Sequence, residues 1–283
     1  MVQAPAGMEI IGAMRTDAGL VRTLNEDAVA WVTPHDQDVA NGRGSLALVA
    51  DGMGGHAAGE VASALAADVI RRLYYDLDGP IPQVLANAFS AANRAIIEYA
   101  DEHPECRGMG TTCTVLAFSD RKAWLAHIGD SRAYLLRDRS LIQLSEDQTL
   151  VAKLVSDGTL TQQEADHSPM HNVILQALGT TVNIKPMIGA KGLPLRSGDV
   201  LILCSDGISN MVPDEKIAEV AARLAPQEAC DALIEAALAA GGHDNASLGV
   251  FSVTAAATAK RASEPTTRRI KLPIGGNPGD LTR

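Results

Sequence analysis

Four aspartates stand directly against apolar runs, and that placement is the most chemically informative pattern in the chain. Leu46-Ala-Leu-Val-Ala leads into Asp51-Gly52, Leu125-Ala-His-Ile-Gly into Asp130, and Leu201-Ile-Leu-Cys-Ser into Asp206-Gly207, while Asp244-Asn245 precedes Ala246-Ser-Leu-Gly-Val-Phe. A carboxylate at the end of a buried strand is costly to desolvate unless a cation or several donors compensate it. Asp and Gly also dominate turns, so any single Asp-Gly reads first as a turn or cap. Gly129-Asp130-Ser131-Arg132, between two strands, is in addition a good hairpin turn. Four such carboxylates gathered at one sheet end would call for metal. None has an adjacent His or Cys in a ligand pattern such as HExxH, and oxygen-only ligands select hard ions such as Mg²⁺, Mn²⁺ or Ca²⁺ over Zn²⁺. Glu26-Asp27, just before a strand beginning at Ala28, could add one more oxygen ligand, directly or through water. Arg22 offers the planar fork of donors that suits a phosphate dianion.

Strands and helices must position these groups, and the apolar pattern supplies both. Alternating or continuous apolar runs predict strands near Glu9 to Arg15, Ala28 to Val32, Leu46 to Ala50, Thr111 to Phe118, Ala123 to Ile128, Ala133 to Arg137, Asn183 to Gly189, Val200 to Cys204 and Ser247 to Val253. Between the third and fourth, Val61, Leu65, Val69, Leu73 and Leu77 recur every four residues. After Gly79-Pro80 a second set runs Ile81, Val84, Leu85, Ala88, Phe89, Ala92, Ile96 and Tyr99, which makes two consecutive long amphipathic helices. Two more are predicted late: Asp214 to Leu224, with Ile217, Val220 and Leu224 on one face, and Gln227 to Ala240, opened by Pro226 and stopped by Gly241-Gly242. Helix pairs between groups of strands do not fit βαβ alternation; they point to an α+β sandwich of mainly antiparallel sheets with helix pairs outside. Residues 145 to 181 are polar and irregular, with one short helix around Thr149 to Ser156, and read as an insertion over one end of the sheets.

With 283 residues, 46% hydrophobic and 20% charged, the chain can bury a substantial core, and a single domain over residues 1 to 254 is expected. No apolar run approaches the roughly 18 residues of a membrane span, and the N-terminus lacks a basic region followed by an apolar core and cleavage site. A cytoplasmic protein is expected. Cys106, Cys113, Cys204 and Cys230 are scattered without a CxxC pair and read as reduced, buried small apolar residues. A net charge of −10 argues against nonspecific nucleic-acid binding. Residues 255 to 283 carry +4 and lack an apolar period, which predicts a disordered basic tail, while residues 1 to 254 carry the remaining −14.

Read together and in order, six segments resemble the PPM (type 2C) family of metal-dependent Ser/Thr protein phosphatases in its compact bacterial form. They are Arg22-x-x-Asn25-Glu26-Asp27, Ala50-Asp51-Gly52-Met53-Gly54-Gly55-His56 with Gly59-Glu60, Gly110-Thr111-Thr112, Ile128-Gly129-Asp130-Ser131-Arg132, Ser205-Asp206-Gly207 and Gly242-His243-Asp244-Asn245. The resemblance covers residues 10 to 253 and implies a four-layer α-β-β-α sandwich, two mainly antiparallel sheets flanked by helix pairs. It implies that Asp51 bridges two Mn²⁺ or Mg²⁺ ions, that the Gly52 carbonyl with Glu26 and Asp27 serves one of them, and that Asp206 and Asp244 serve the other. Asp130 would hold a third, weaker ion, Arg22 would bind the substrate phosphate, and residues 145 to 181 would be the flap. The implied reaction is hydrolysis without a phosphoenzyme, a metal-bridging water attacking phosphorus in line with the Ser or Thr oxygen. A monomer acting on phosphorylated proteins, opposite a cognate Ser/Thr kinase, goes with that reading. Two positions depart from the family. Met53 stands where eukaryotic relatives carry a candidate proton-donating His; His56, three residues on, reads first as a surface or helix-capping histidine. Asp147-Gln148 stands where relatives usually have Asp-His.

Other chemistries fit less well. Gly52-x-Gly54-x-x-Ala57 passes a loose dinucleotide fingerprint, but Asp51 would face the pyrophosphate and the helix leads to a second helix. No GxxxxGK[ST] loop occurs, and no cysteine is followed six residues later by arginine, which sets aside P-loop NTPases and cysteine-based tyrosine phosphatases. A catalytically silent regulator that keeps the fold and binds phosphoproteins or a partner is the alternative from another class, and intact Asp51, Asp206 and Asp244 speak against it.

Overall fold

The computed structural model describes residues 8–34, 42–54, 58–166, 168–170 and 172–255. His56 and all but the first residue of the basic tail lie outside them. One sheet joins, in spatial order, β1 (Met8–Asp17), β12 (Ala246–Ala255), β11 (Val200–Cys204), β7 (Arg132–Arg137) and β8 (Ser140–Gln143). The other joins β10 (Leu193–Pro194), β6 (Lys122–Ile128), β5 (Cys113–Ser119), β3 (Ser45–Met53) and β2 (Asp27–Val32). Two short strands flank this second sheet, β4 (Gly110–Thr111) on the end of β3 and β9 (Met187–Ile188) on β6. Every pairing among the described residues is antiparallel.

The continuous apolar runs of the central strands are explained by burial on both faces. Val49, Leu116, Leu135, Leu201, Phe251 and Val253 meet between the sheets. There Trp31 packs on Phe118 and Phe251 with ring centroids 5.9 and 4.8 Å away. Their sequence neighbours Leu48, Val115 and Ala117 turn outward onto α1 (Ala58–Asp76) and α2 (Ile81–Glu102). Ile202 and Val250 turn the other way, onto α6 (Asp214–Arg223) and α7 (Pro226–Ala239). Each fully buried Leu, Ile or Phe contributes about 1.5–3 kcal/mol. The result is the expected α-β-β-α layering. Among the described residues no helix is long and apolar enough to cross a membrane. The four cysteines are free and buried, as expected.

Several details differ from the sequence reading. The fully buried face of α1 is Ala58, Ala62, Ala66, Ile70 and Tyr74, one position round from the Val61-to-Leu73 stripe, whose residues are only partly buried. Small side chains let the helix approach closely while the larger ones seal its flank. The strand expected over 183–189 shrinks to β9, because Pro186 has no N–H for the ladder. The strand expected from Thr111 breaks at Thr112 into β4 and β5. β8, β10, α4 (Gln162–Asp166) and α5 (Asp206–Ser209) are too short to show a period. With α3 (Leu150–Ser156), α4 belongs to the insertion over the sheet ends.

Candidate active site

The register of β2 against β3 decides where the first carboxylates go. It sets Asp27 opposite Asp51, so two acidic residues share one rung at the strand ends. Asp51 lies within β3, which continues to Met53, instead of just after it. The Gly52 N–H donates to the Glu26 carbonyl at 3.1 Å and folds Glu26 over the strand end. A Cβ on Gly52 would stand 2.1 Å from the Gly59 carbonyl oxygen, and one on Gly59 would stand 2.5 Å from Glu26 Oε1. Only glycine at both places lets α1 and the Glu26 carboxylate close on this strand end.

The break at Thr112 joins this corner to the other sheet. Thr112 Oγ1 accepts the Asp51 N–H at 3.0 Å, its own N–H donates to Asp51 O at 2.9 Å, and its hydroxyl lies 2.7 Å from that of Ser131. Gly129 to Ser131 is not the hairpin that its residues suggest. β6 and β7 belong to different sheets, so the segment crosses between them, with Gly129 at φ +107° against Thr112. That crossover places Asp130, 9% exposed, between the two sheet ends.

Asp206 opens α5, and the Ser205 hydroxyl before it donates to Asp27 Oδ2 at 2.9 Å while accepting the Ser247 N–H at 3.0 Å. Asn245 accepts the Glu26 N–H at 2.8 Å and donates to the carbonyls of Ala18 and Leu24, both at 2.9 Å. Beside it, Asp244 forms an ion pair with Arg22 at 2.7 Å, and the arginine side chain stays half exposed. Segments far apart in sequence thus bring Glu26, Asp27, Asp51, Gly52, Asp130, Asp206, Asp244 and Arg22 to one end of the sandwich.

Their electrostatics are unfavourable without a cation. Burial, then repulsion from Asp27, Asp206, Asp130 and Asp244, holds the Asp51 carboxyl well above the usual carboxylate range. Asp27 is pushed up to about 7, first by burial and against the lowering effect of the Ser247 and Ser205 hydroxyls. Asp130 also rises to about 7, from burial and then from Asp206 and Asp147. Asp206 is raised by burial and Asp244, partly offset by a hydrogen bond with Asp51. Asp27 Oδ1 is buried with no hydrogen-bond partner, the kind of orphaned oxygen a cation would satisfy. Among the described residues no three acidic, His or Cys side chains surround a common point as ligands would. The donor set, oxygen throughout, fits a hard divalent ion.

The protein phosphatase 2C family model matches residues 12–240. This chain belongs to that family. The serine/threonine protein phosphatase PstP of Mycobacterium tuberculosis is 42% identical over 244 residues, 85% of this chain but 44% of the relative. The chain thus spans less than half of that relative's length. The serine/threonine phosphatase stp of Listeria monocytogenes is 34% identical over 82% of this chain and 91% of its own. A solved PstP catalytic domain in complex with two manganese ions superposes with a TM-score of 0.76 at 39% identity, covering 88% of this chain and all of that one.

Within this phosphatase 2C chain, Gln148 joins the start of the 145–181 insertion to the segment that carries Asp130. Its N–H donates to Gly129 O at 2.7 Å, its Oε1 accepts the Gly129 N–H at 3.0 Å, and its Nε2 donates to Lys185 O at 3.3 Å. Asp147 grips Arg132 through both carboxylate oxygens at 2.7 to 3.1 Å. The start of the 145–181 insertion is therefore tied to the Asp130 crossover, and through Gln148 to Lys185 just beyond the insertion's end. Beneath it runs a cleft of about 1220 Å³, with Asp130 and Asp206 among the residues lining it. Gln148→Ala is expected to cost about 1–2 kcal/mol in urea unfolding, and limited proteolysis should then cut first within residues 145–186. Thr112, Ser205, Asn245 and Ser247 brace the acidic residues, and the sequence assigned none of them a role. Ser205 and Asn245 adjoin aspartates already singled out. Thr112 stands in the Gly110-Thr111-Thr112 motif, but its partner Asp51 lies 61 residues away, so no local pattern showed what it holds.

Proposed function

We propose that this chain hydrolyses phosphoserine and phosphothreonine in proteins, using two Mn²⁺ or Mg²⁺ ions and a third, weaker one. The convergence of acidic residues from separate segments around the orphaned Asp27 Oδ1 carries the reading. The relatives' names and the two manganese ions of the PstP catalytic domain support it. Asp51, opposite Asp27 on one rung and hydrogen-bonded with Asp206, would be shared by the core pair; Glu26, Asp27 and the Gly52 carbonyl would hold one ion, and Asp206 and Asp244 the other. Asp130 would hold the third. When bound, such ions acidify water and neutralise developing charge on the phosphate. Arg22 needs only to exchange its Asp244 partner for a phosphate oxygen, and its half-exposed guanidinium is placed to do so. The wider setting proposed is a monomeric cytoplasmic signalling enzyme opposing a Ser/Thr kinase, with a catalytic domain that runs to the end of β12 at Ala255 and a basic tail beyond it.

The test is phosphate release from a phosphothreonine peptide. Release should require Mn²⁺, stop on adding chelator, and disappear in Asp206→Asn. A protein that takes up Mn²⁺ fully and releases nothing would instead be the phosphoprotein-binding regulator.

A further inference from the structure

Three of the large exposed apolar side chains lie within five residues of one another, on the loop that carries Arg22. Leu20 is 68% exposed, Val21 62% and Leu24 46%. Their exposure is imposed by the backbone. Leu20 N–H donates to Gly242 O at 2.8 Å, and Asn245 holds the carbonyls of Ala18 and Leu24. Asn25 donates to Thr16 Oγ1 at 2.8 Å. Gly19, at φ +77°, sits so tightly that a Cβ would come within 2.3 Å of the Asp244 carbonyl oxygen. A loop pinned at both ends and in the middle cannot fold its apolar side chains away, and a contiguous exposed apolar patch marks an interaction site.

The occupant is indicated by what the patch surrounds. Arg22 lies between Val21 and Leu24 in the same loop and faces Asp244 of the acidic centre. A segment whose phosphate contacted Arg22 would have its neighbouring residues within reach of Val21 and Leu24, which flank that arginine in the chain. Residues 1–254 carry a net charge of −14, which repels acidic flanks and leaves basic or apolar flanks to add affinity; the side chains this loop itself exposes beside Arg22 are apolar.

We propose that Leu20, Val21 and Leu24 form an apolar collar that docks the side chains next to the phosphorylated residue, so that the preferred substrates carry apolar neighbours there. The proposal rests on the phosphatase reading and names its substrate class. Binding made equally in ground and transition states changes KM and leaves kcat alone.

The experiment compares phosphothreonine peptides flanked by Leu and Val, by Ser, or by Lys, with p-nitrophenyl phosphate as a substrate too small to touch the collar. With Mn²⁺, the apolar-flanked peptide should show a KM about tenfold below that of the Ser-flanked one, at equal kcat. The triple variant Leu20→Ser, Val21→Ser, Leu24→Ser should lose that difference while keeping p-nitrophenyl phosphate turnover and the Mn²⁺-induced rise in Tm. Equal KM values in the wild type, a preference for Lys flanks, or a preference retained by the triple variant would overturn the collar. If the triple variant does not fold, the wild-type peptide comparison and the single Val21→Ser variant decide. Failure of the wild type to hydrolyse p-nitrophenyl phosphate would instead sink the phosphatase reading. Calorimetric binding of the same peptides to the Mn²⁺-loaded protein would then still test the collar.

Discussion

Asp51→Asn is expected to lower Mn²⁺-dependent phosphate release by about three orders of magnitude while raising the Tm of the metal-free protein. The two effects have one cause. Asp51 is enclosed with Asp27, Asp206, Asp130 and Asp244, each of which makes its ionisation harder. Asn keeps the shape and the Thr112 backbone hydrogen bonds but removes the charge, which relieves the metal-free protein and deprives two cations of the ligand they would share. Differential scanning fluorimetry with and without Mn²⁺, beside the release assay, reads both. A variant that melts lower than wild type in chelator, or that still gains stability from Mn²⁺, would show that Asp51 is not the shared ligand.

The metal-free protein should lose stability as pH rises from about 4 to about 7. Asp27 and Asp130 have folded-state values of about 7 against an ordinary 3.8, so over that interval the folded state holds protons that the unfolded chain has released. Raised carboxyl values make stability fall with increasing pH, the reverse of the usual surface carboxylate. Below 3.8 neither state is charged and the penalty vanishes; above about 7 both are charged and it is complete. For Asp130 alone the swing is on the order of 4 kcal/mol, or about 10 °C in Tm. Saturating Mn²⁺ should flatten or invert the trend, because a cation favours the ionised forms. Melting curves across pH 4 to 8 in chelator, repeated with Mn²⁺, provide the check, and a metal-free Tm that climbed with pH would contradict the arrangement described.

Much of this was legible before any coordinates. Runs such as Leu46–Ala50 and Leu201–Cys204 are apolar at every position, which is what a strand buried on both faces requires. The order of the short motifs around Asp51, Asp130, Asp206 and Asp244 carried the family. Local chemistry also misled: Gly129-Asp130-Ser131-Arg132 has hairpin residues, yet its two strands enter different sheets. The helix face at Ala62 and Ala66 was misread because a residue's burial depends on how near the neighbouring layer comes, and α1 approaches closest where its side chains are smallest.

The sequence by itself determined the elements, the family and the acidic residues, because strand period, helix period and motif order are properties of neighbours along the chain. Only the tertiary structure decided that Asp27 faces Asp51 across a rung, that Thr112 and Ser131 bridge the two sheets, and that Gln148 ties the 145–181 insertion to the Asp130 crossover. Those are contacts between residues 19 to 24 positions apart. They are fixed by strand register and by the packing of one layer on another, and no local pattern of residue types encodes either.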